Sequence, residues 1–149
     1  MSPASLRTGH VGLNITEIDR SIAFYQNVLG FDLLHRSDVP GRRFAFLGQG
    51  GELILTLWQQ SDGAFAERQP GLHHLAFEVP SVADVEAAEQ RLQALGVEFQ
   101  YEGIVPHAEG SDSGGIFFRD PDGIRLEVYT PSGVRAHAAV CDGPACGFF

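Results

Sequence analysis

A chain of 149 residues with 44% hydrophobic content and a formal net charge of −9 has the size of one compact domain or of two small modules sharing a core. The negative charge argues against nucleic acid and anionic membrane as partners, and no apolar run approaches the roughly 18 residues of a membrane span. All 10 basic residues are arginines, which excludes lysine Schiff-base chemistry and a lysine general base. The N-terminus, Met1-Ser2-Pro3-Ala4-Ser5-Leu6-Arg7, lacks the apolar stretch of a signal peptide, so a cytoplasmic location is expected. Cys141 and Cys146 are the only cysteines; their spacing fits neither a disulfide framework nor a zinc site.

The chain opens on a strand around His10-Val11-Gly12-Leu13-Asn14-Ile15. Thr16 and Asp19 then form a capping signal for a helix over 17–29, where Ile18, Ile22, Tyr25 and Leu29 recur at helical spacing. Gly30 stands where a left-handed cap is wanted, and strand-like runs follow over 31–35, 43–47 and 53–58. Residues 59–71 read as a linker. The same order then returns: His73-His74-Leu75-Ala76-Phe77-Glu78-Val79, a cap at Ser81 with Asp84, and a helix over 82–95 carrying Val85, Ala88, Leu92 and Leu95. Gly96 closes that helix, and strand-like runs lie over 97–101, 115–118 and 125–129. Residues 106–114 form a polar, glycine-rich loop, Asp120-Pro121-Asp122-Gly123 a turn, and 131–149 a tail that is partly disordered or folds over a site. The reading is α+β: two βαβββ modules, 8–58 and 72–130.

Strand alternation puts His10, Gly12 and Asn14 on one face of the first strand and His74, Ala76 and Glu78 on the matching face of its repeat. By the same rule His73 faces away from His74. In the last strand Arg125, Glu127 and Tyr129 share a face opposite Leu126 and Val128. A glutamate inside a strong strand is unusual, and if it points inward its charge needs compensation. A metal shared with two histidines would supply it. Taken singly, each of these residues is a satisfied core or surface side chain; their repeat-related placement favours a paired site.

Two segments carry a family resemblance. Phe117-Phe118-Arg119-Asp120-Pro121-Asp122-Gly123-Ile124-Arg125-Leu126-Glu127 and Ser21-Ile22-Ala23-Phe24-Tyr25-Gln26-Asn27-Val28-Leu29-Gly30-Phe31, set within the duplicated βαβββ pattern, resemble the vicinal-oxygen-chelate superfamily. That superfamily spans glyoxalase I, bleomycin-resistance proteins and type I extradiol dioxygenases. The resemblance implies a cupped eight-stranded mixed sheet with helices outside, a homodimer and a divalent metal. Carried over, it places His10, His74 and Glu127 at ligand positions. Aligning Gly51 with Gly123 puts Leu55 opposite Glu127, where glyoxalase I has a carboxylate. A two-histidine, one-carboxylate set leaves positions open and suits Fe(II) or Mn(II), with Zn(II) or Ni(II) also possible.

The expected function is a metal-dependent enzyme, dioxygenase-like or lyase-like, acting on a small oxygen-rich or aromatic molecule; Leu55 disfavours glyoxalase I itself. Tyr129 and Glu78 are catalytic candidates, and Asn14, Leu55, Tyr101, Phe117 and Trp58 are candidates to line the substrate pocket. His107 lies near the position of a dioxygenase histidine but out of step with it, and Phe117 stands where those enzymes have tyrosine. The alternatives are a non-enzymatic antibiotic-binding protein of the bleomycin-resistance type and a fosfomycin-type thiol transferase. For the latter, the 109–113 loop and Arg135 are partial matches.

Overall fold

The computed structural model describes residues 4–137; Cys141 and Cys146 lie outside the described residues. The chain divides into two units, Met1–Ala64 and Phe65–Phe149. The first contains β1 (Val11–Ile15), α1 (Ile18–Leu29), β2 (Asp32–Ser37), β3 (Phe44–Gln49) and β4 (Glu52–Gln59). Its sheet runs β1-β4-β3-β2, with β1 parallel to β4 and the other pairs antiparallel. A parallel pair cannot be closed by a hairpin, and α1 lies in the crossover between its strands. The helix buries Ile18, Ile22, Tyr25 and Val28, and Leu13, Ile15, Leu47, Leu55 and Leu57 of the sheet complete the core.

The second unit repeats this with β5 (Leu75–Glu78), α2 (Val82–Ala94), β6 (Val105–Pro106), β7 (Gly114–Arg119) and β8 (Arg125–Thr130), ordered β5-β8-β7-β6. Its core is Val82, Val85, Ala88 and Leu92 from α2 against Ile116, Phe118, Leu126 and Val128. The fold is thus α+β, with two four-stranded mixed sheets. Among the described residues no helix is long and apolar enough to cross a membrane.

Two local expectations are corrected. The cap of α1 is Glu17, whose carboxylate accepts from the Asp19 and Arg20 amides at 3.0 and 2.7 Å; Thr16 instead accepts from the Arg20 guanidinium at 2.8 Å. At α2 the expected cap is present: the Ser81 hydroxyl accepts from the Asp84 amide at 3.3 Å and donates to the Asp84 carboxylate at 2.6 Å, an arrangement that contributes about 1 kcal/mol. The strand expected over 97–101 is reduced to a single bridge, Phe99 to Phe118, because Gly103 turns the chain with φ +68° and β6 takes the next place on β7. Part of the tail is ordered. A 3₁₀ turn, Val134–Ala136, buries Val134 and is pinned by the Arg135 guanidinium, which donates to the Gly110 carbonyl at 2.6 and 3.1 Å.

The Asp120-Pro121-Asp122-Gly123 turn is built around a buried carboxylate. Asp120 Oδ1 accepts from the Asp122 and Ile124 amides, both at 2.9 Å, while Gly123 supplies a φ of +86°. This fixes where β8 starts, and therefore which of its residues face which side.

Candidate functional site

The second unit gathers a polar cluster on β5, β8 and the loop after β6. Glu127 sits in the middle of β8, paired with Ala76 on one side and Phe117 on the other, and is only 4% exposed. One carboxylate oxygen contacts His107 Nε2 at 2.5 Å; the other faces His74 Nε2 at 3.6 Å. His107 is fixed from behind by Ser113, 2.9 Å from Nδ1, and Ser113 is held in turn by Ser111 at 3.0 Å. Tyr129 packs its ring 5.3 Å from that of His107 and donates its phenol proton to Glu78 at 2.7 Å. That hydrogen bond, followed by partial burial, raises the Tyr129 pKa, so the phenol stays protonated.

His74 has its pKa lowered, chiefly by burial, with the Glu127 charge opposing. Its ring is therefore neutral at neutral pH and keeps a lone pair for coordination. His74 Nδ1 lies 2.8 Å from His73 Nδ1, which leaves Nε2 directed at Glu127. His73 does not face away as alternation predicts. Both histidines precede β5, which begins at Leu75, so the pleat rule does not govern them.

His10 immediately precedes β1 and is exposed. On the same sheet the repeat relation can be checked by register. Gly12 pairs with Thr56 in the first unit, and Ala76 pairs with Glu127 in the second. The counterpart of Glu127 is thus Thr56, not Leu55. The β3–β4 hairpin turns through Gly50-Gly51, both at positive φ, whereas Arg119 and Arg125 flank a longer turn between β7 and β8. A register shift at Leu47/Gly48 adds to this, and the glycine-based alignment slips by one residue. Leu55 is fully buried in the core and does not line an open pocket. Thr56 Oγ1 accepts from Trp58 Nε1 at 2.9 Å.

The remaining candidates separate. Asn14 pairs with Trp58 across the sheet and accepts from the Gln60 amide at 3.1 Å. Phe117 is buried and packs edge-on against half-buried Tyr101, with ring centroids 5.8 Å apart. The guanidinium of Arg135 donates to the Gly110 carbonyl. Sequence reasoning noted His107 but set it outside the site as out of step, whereas its Nε2 contacts Glu127. Its signal was a lone histidine in a serine- and glycine-rich loop that follows the edge strand and leads back into the strand beside Glu127.

His74 Nε2 and Glu127 fit a divalent ion chemically: a neutral imidazole beside a buried carboxylate, a nitrogen and an oxygen donor of the kind such ions take. Both ring nitrogens of His107 are already engaged, so it positions the carboxylate and is no third donor. Among the described residues no three histidine, cysteine, aspartate or glutamate side chains stand together in metal-holding geometry, so this pair needs a further ligand.

The family model for the Glyoxalase/Bleomycin resistance protein/Dioxygenase superfamily matches residues 7–128. The chain belongs to this superfamily. Among its superfamily relatives, a catechol-2,3-dioxygenase of Bacillus subtilis is 31% identical over 124 residues, which is 81% of this chain and 40% of that protein. A lactoylglutathione lyase of Neisseria meningitidis is 33% identical over 127 residues, covering 82% of this chain and 88% of the relative. The chain therefore spans less than half of the dioxygenase and most of the lyase. The crystal structure of a glyoxylase/bleomycin resistance protein/dioxygenase domain from Frankia sp. EAN1pec superposes with a TM-score of 0.71 at 30% identity, covering 85% of this chain and 98% of that one.

Proposed function

We propose that this superfamily member is a divalent-metal-dependent enzyme acting on a small oxygen-rich or aromatic molecule, with His10, His74 and Glu127 as its protein ligands. The observation that carries this reading is Glu127: a carboxylate 4% exposed, with its two oxygens directed at two imidazoles. Burying that charge costs several kcal/mol unless a cation offsets it. The two-histidine, one-carboxylate set favours Fe(II) or Mn(II) and admits Zn(II) or Ni(II). Bound there, the metal acts as a Lewis acid and as a template for a bidentate oxygen substrate.

The chain's own residues have separable tasks. His107 holds one Glu127 oxygen and leaves the other toward His74. Ser113 orients His107. Glu78 retains the Tyr129 phenol proton, so Tyr129 presents a neutral hydroxyl beside His107 on the face that Glu127 occupies. Thr56, the register counterpart of Glu127, has no carboxylate, so this face of the first sheet supplies no proton-moving acid at the position where glyoxalase I has one. This supports an open-coordination reaction over glyoxalase I chemistry.

The test is anaerobic purification, loading with Fe(II) or Mn(II), and oxygen uptake with a panel of catecholic diols, alongside hemithioacetal isomerisation as the competing reaction. Uptake that is lost after chelation and absent in His74→Ala is the expected result. Isomerisation without uptake would overturn the dioxygenase-like assignment.

A further inference from the structure

We propose that the first unit carries a binding site for a planar aromatic carboxylate, with Phe44 and Trp58 as its wall and Arg42 as its anion contact. The site is a cavity bordered by Gly41, Arg42, Phe44, Trp58 and Gln60. Binding there draws on no residue of the proposed metal set.

The wall is preorganised. Phe44 and Trp58 face each other across β3 and β4, with ring centroids 5.1 Å apart and an interplanar angle of 31°. Trp58 is 37% exposed, yet its indole is fixed because Nε1 donates to buried Thr56 at 2.9 Å. An exposed ring held in one orientation is suited to stacking a flat ligand. Phe46 and His35 extend the aromatic surface, the His35 ring lying 5.7 Å from both Phe44 and Phe46.

Charge selects the ligand's sign. Arg36 and Arg43 are paired with Asp19 and Asp38. Arg42, beside them in sequence, has an exposed side chain that makes no ion pair or hydrogen bond among the described residues. Its backbone is nevertheless fixed: the Arg42 amide donates to the Val39 carbonyl at 2.8 Å, closing a turn with Pro40 and Gly41 at its centre. Gly41 has φ +75°, the left-handed value that a type II turn requires at that place. The turn thus presents a spare guanidinium at the edge of an aromatic wall, in a chain whose net charge is −9. A guanidinium pairs with a carboxylate through two parallel hydrogen bonds. A single free arginine does not suit a polyanion.

Trp58 is the only tryptophan, so fluorescence excited selectively at tryptophan, beyond the absorption of the three tyrosines, reports on this wall. The chelator-treated full chain is titrated with 4-methylbenzoate and with 4-methylbenzamide, its uncharged isostere. The expected result is saturable quenching by the benzoate and binding of the amide weaker by about tenfold, the factor a charge-assisted hydrogen bond gives. Arg42→Ala loses about tenfold in benzoate affinity while its amide affinity stays unchanged; Arg68→Ala, at an exposed position in the other unit, behaves as wild type. Equal binding of acid and amide, no saturable quenching, or an Arg42→Ala variant with full benzoate affinity would overturn the proposal. None of these outcomes alters metal content, so they are separable from failure of the metal assignment.

Discussion

Replacing Glu127 with alanine abolishes divalent-metal binding and turnover together, while the metal-free protein keeps its fold and its melting temperature. The carboxylate is buried on β8, and its two oxygens meet His107 and His74. Removing it deletes the proposed carboxylate ligand and at the same time takes away a buried charge. Metal affinity falls by more than about 100-fold, because outer positioning groups alone account for about 10–100-fold. His107→Ala falls within that smaller range: its Nε2 orients the carboxylate, and its Nδ1 is tied to Ser113. Titration with Mn(II), with a thermal melt of each chelated variant, separates the cases. A Glu127→Ala variant that binds metal like wild type removes Glu127 from the ligand set.

Gly115→Ala is expected to destabilise the second unit by about 3 kcal/mol, the upper end of overpacking costs. A Cβ built on Gly115 comes within 2.2 Å of the Val128 carbonyl oxygen and 2.7 Å of Tyr129 Cα. Both are backbone atoms of β8, so nothing flexible can yield. The strain falls on the strand that carries Glu127 and Tyr129, and metal affinity should drop along with stability. Gly63→Ala is the control. Nothing lies within 4 Å of a Cβ there, and its φ is not in the left-handed range, so its effect stays within about 0.5 kcal/mol. At about 2–4 °C per kcal/mol for a chain of this size, the two variants are easily resolved in a thermal melt. Equal melting temperatures would show that β7 and β8 can separate without cost.

The duplication was legible because each module repeats the same local physics: a strand, a capped amphipathic helix, a left-handed glycine, then β-rich runs. α1 and α2 came within a residue of their expected ends because helical periodicity and Gly30 and Ser81 agree. The burial of Glu127 was foreseeable from a charged residue in an apolar strand. Other features depend on tertiary register. Thr56 replaces Leu55 as the partner position because hairpin length and a strand irregularity differ between modules, and neither is written in the glycines. His107 reaches Glu127 because β6 hands the chain to a loop folded back over β8. Glu17 outcompetes Thr16 at the cap because its longer side chain reaches two amides while Thr16 accepts from Arg20. His73 turns to His74 because strand pairing begins only after both.

Under the proposed assignment, His74 and Glu127, completed by His10, hold a divalent cation. The direct measurement is elemental analysis of the wild-type chain purified without oxygen and passed through gel filtration, before and after chelation, followed by reloading. About one iron or manganese per chain is expected, as a two-histidine, one-carboxylate set favours, removed by chelation and restored on reloading. A chain that emerges without bound metal and takes up none on reloading would rule out this ligand set.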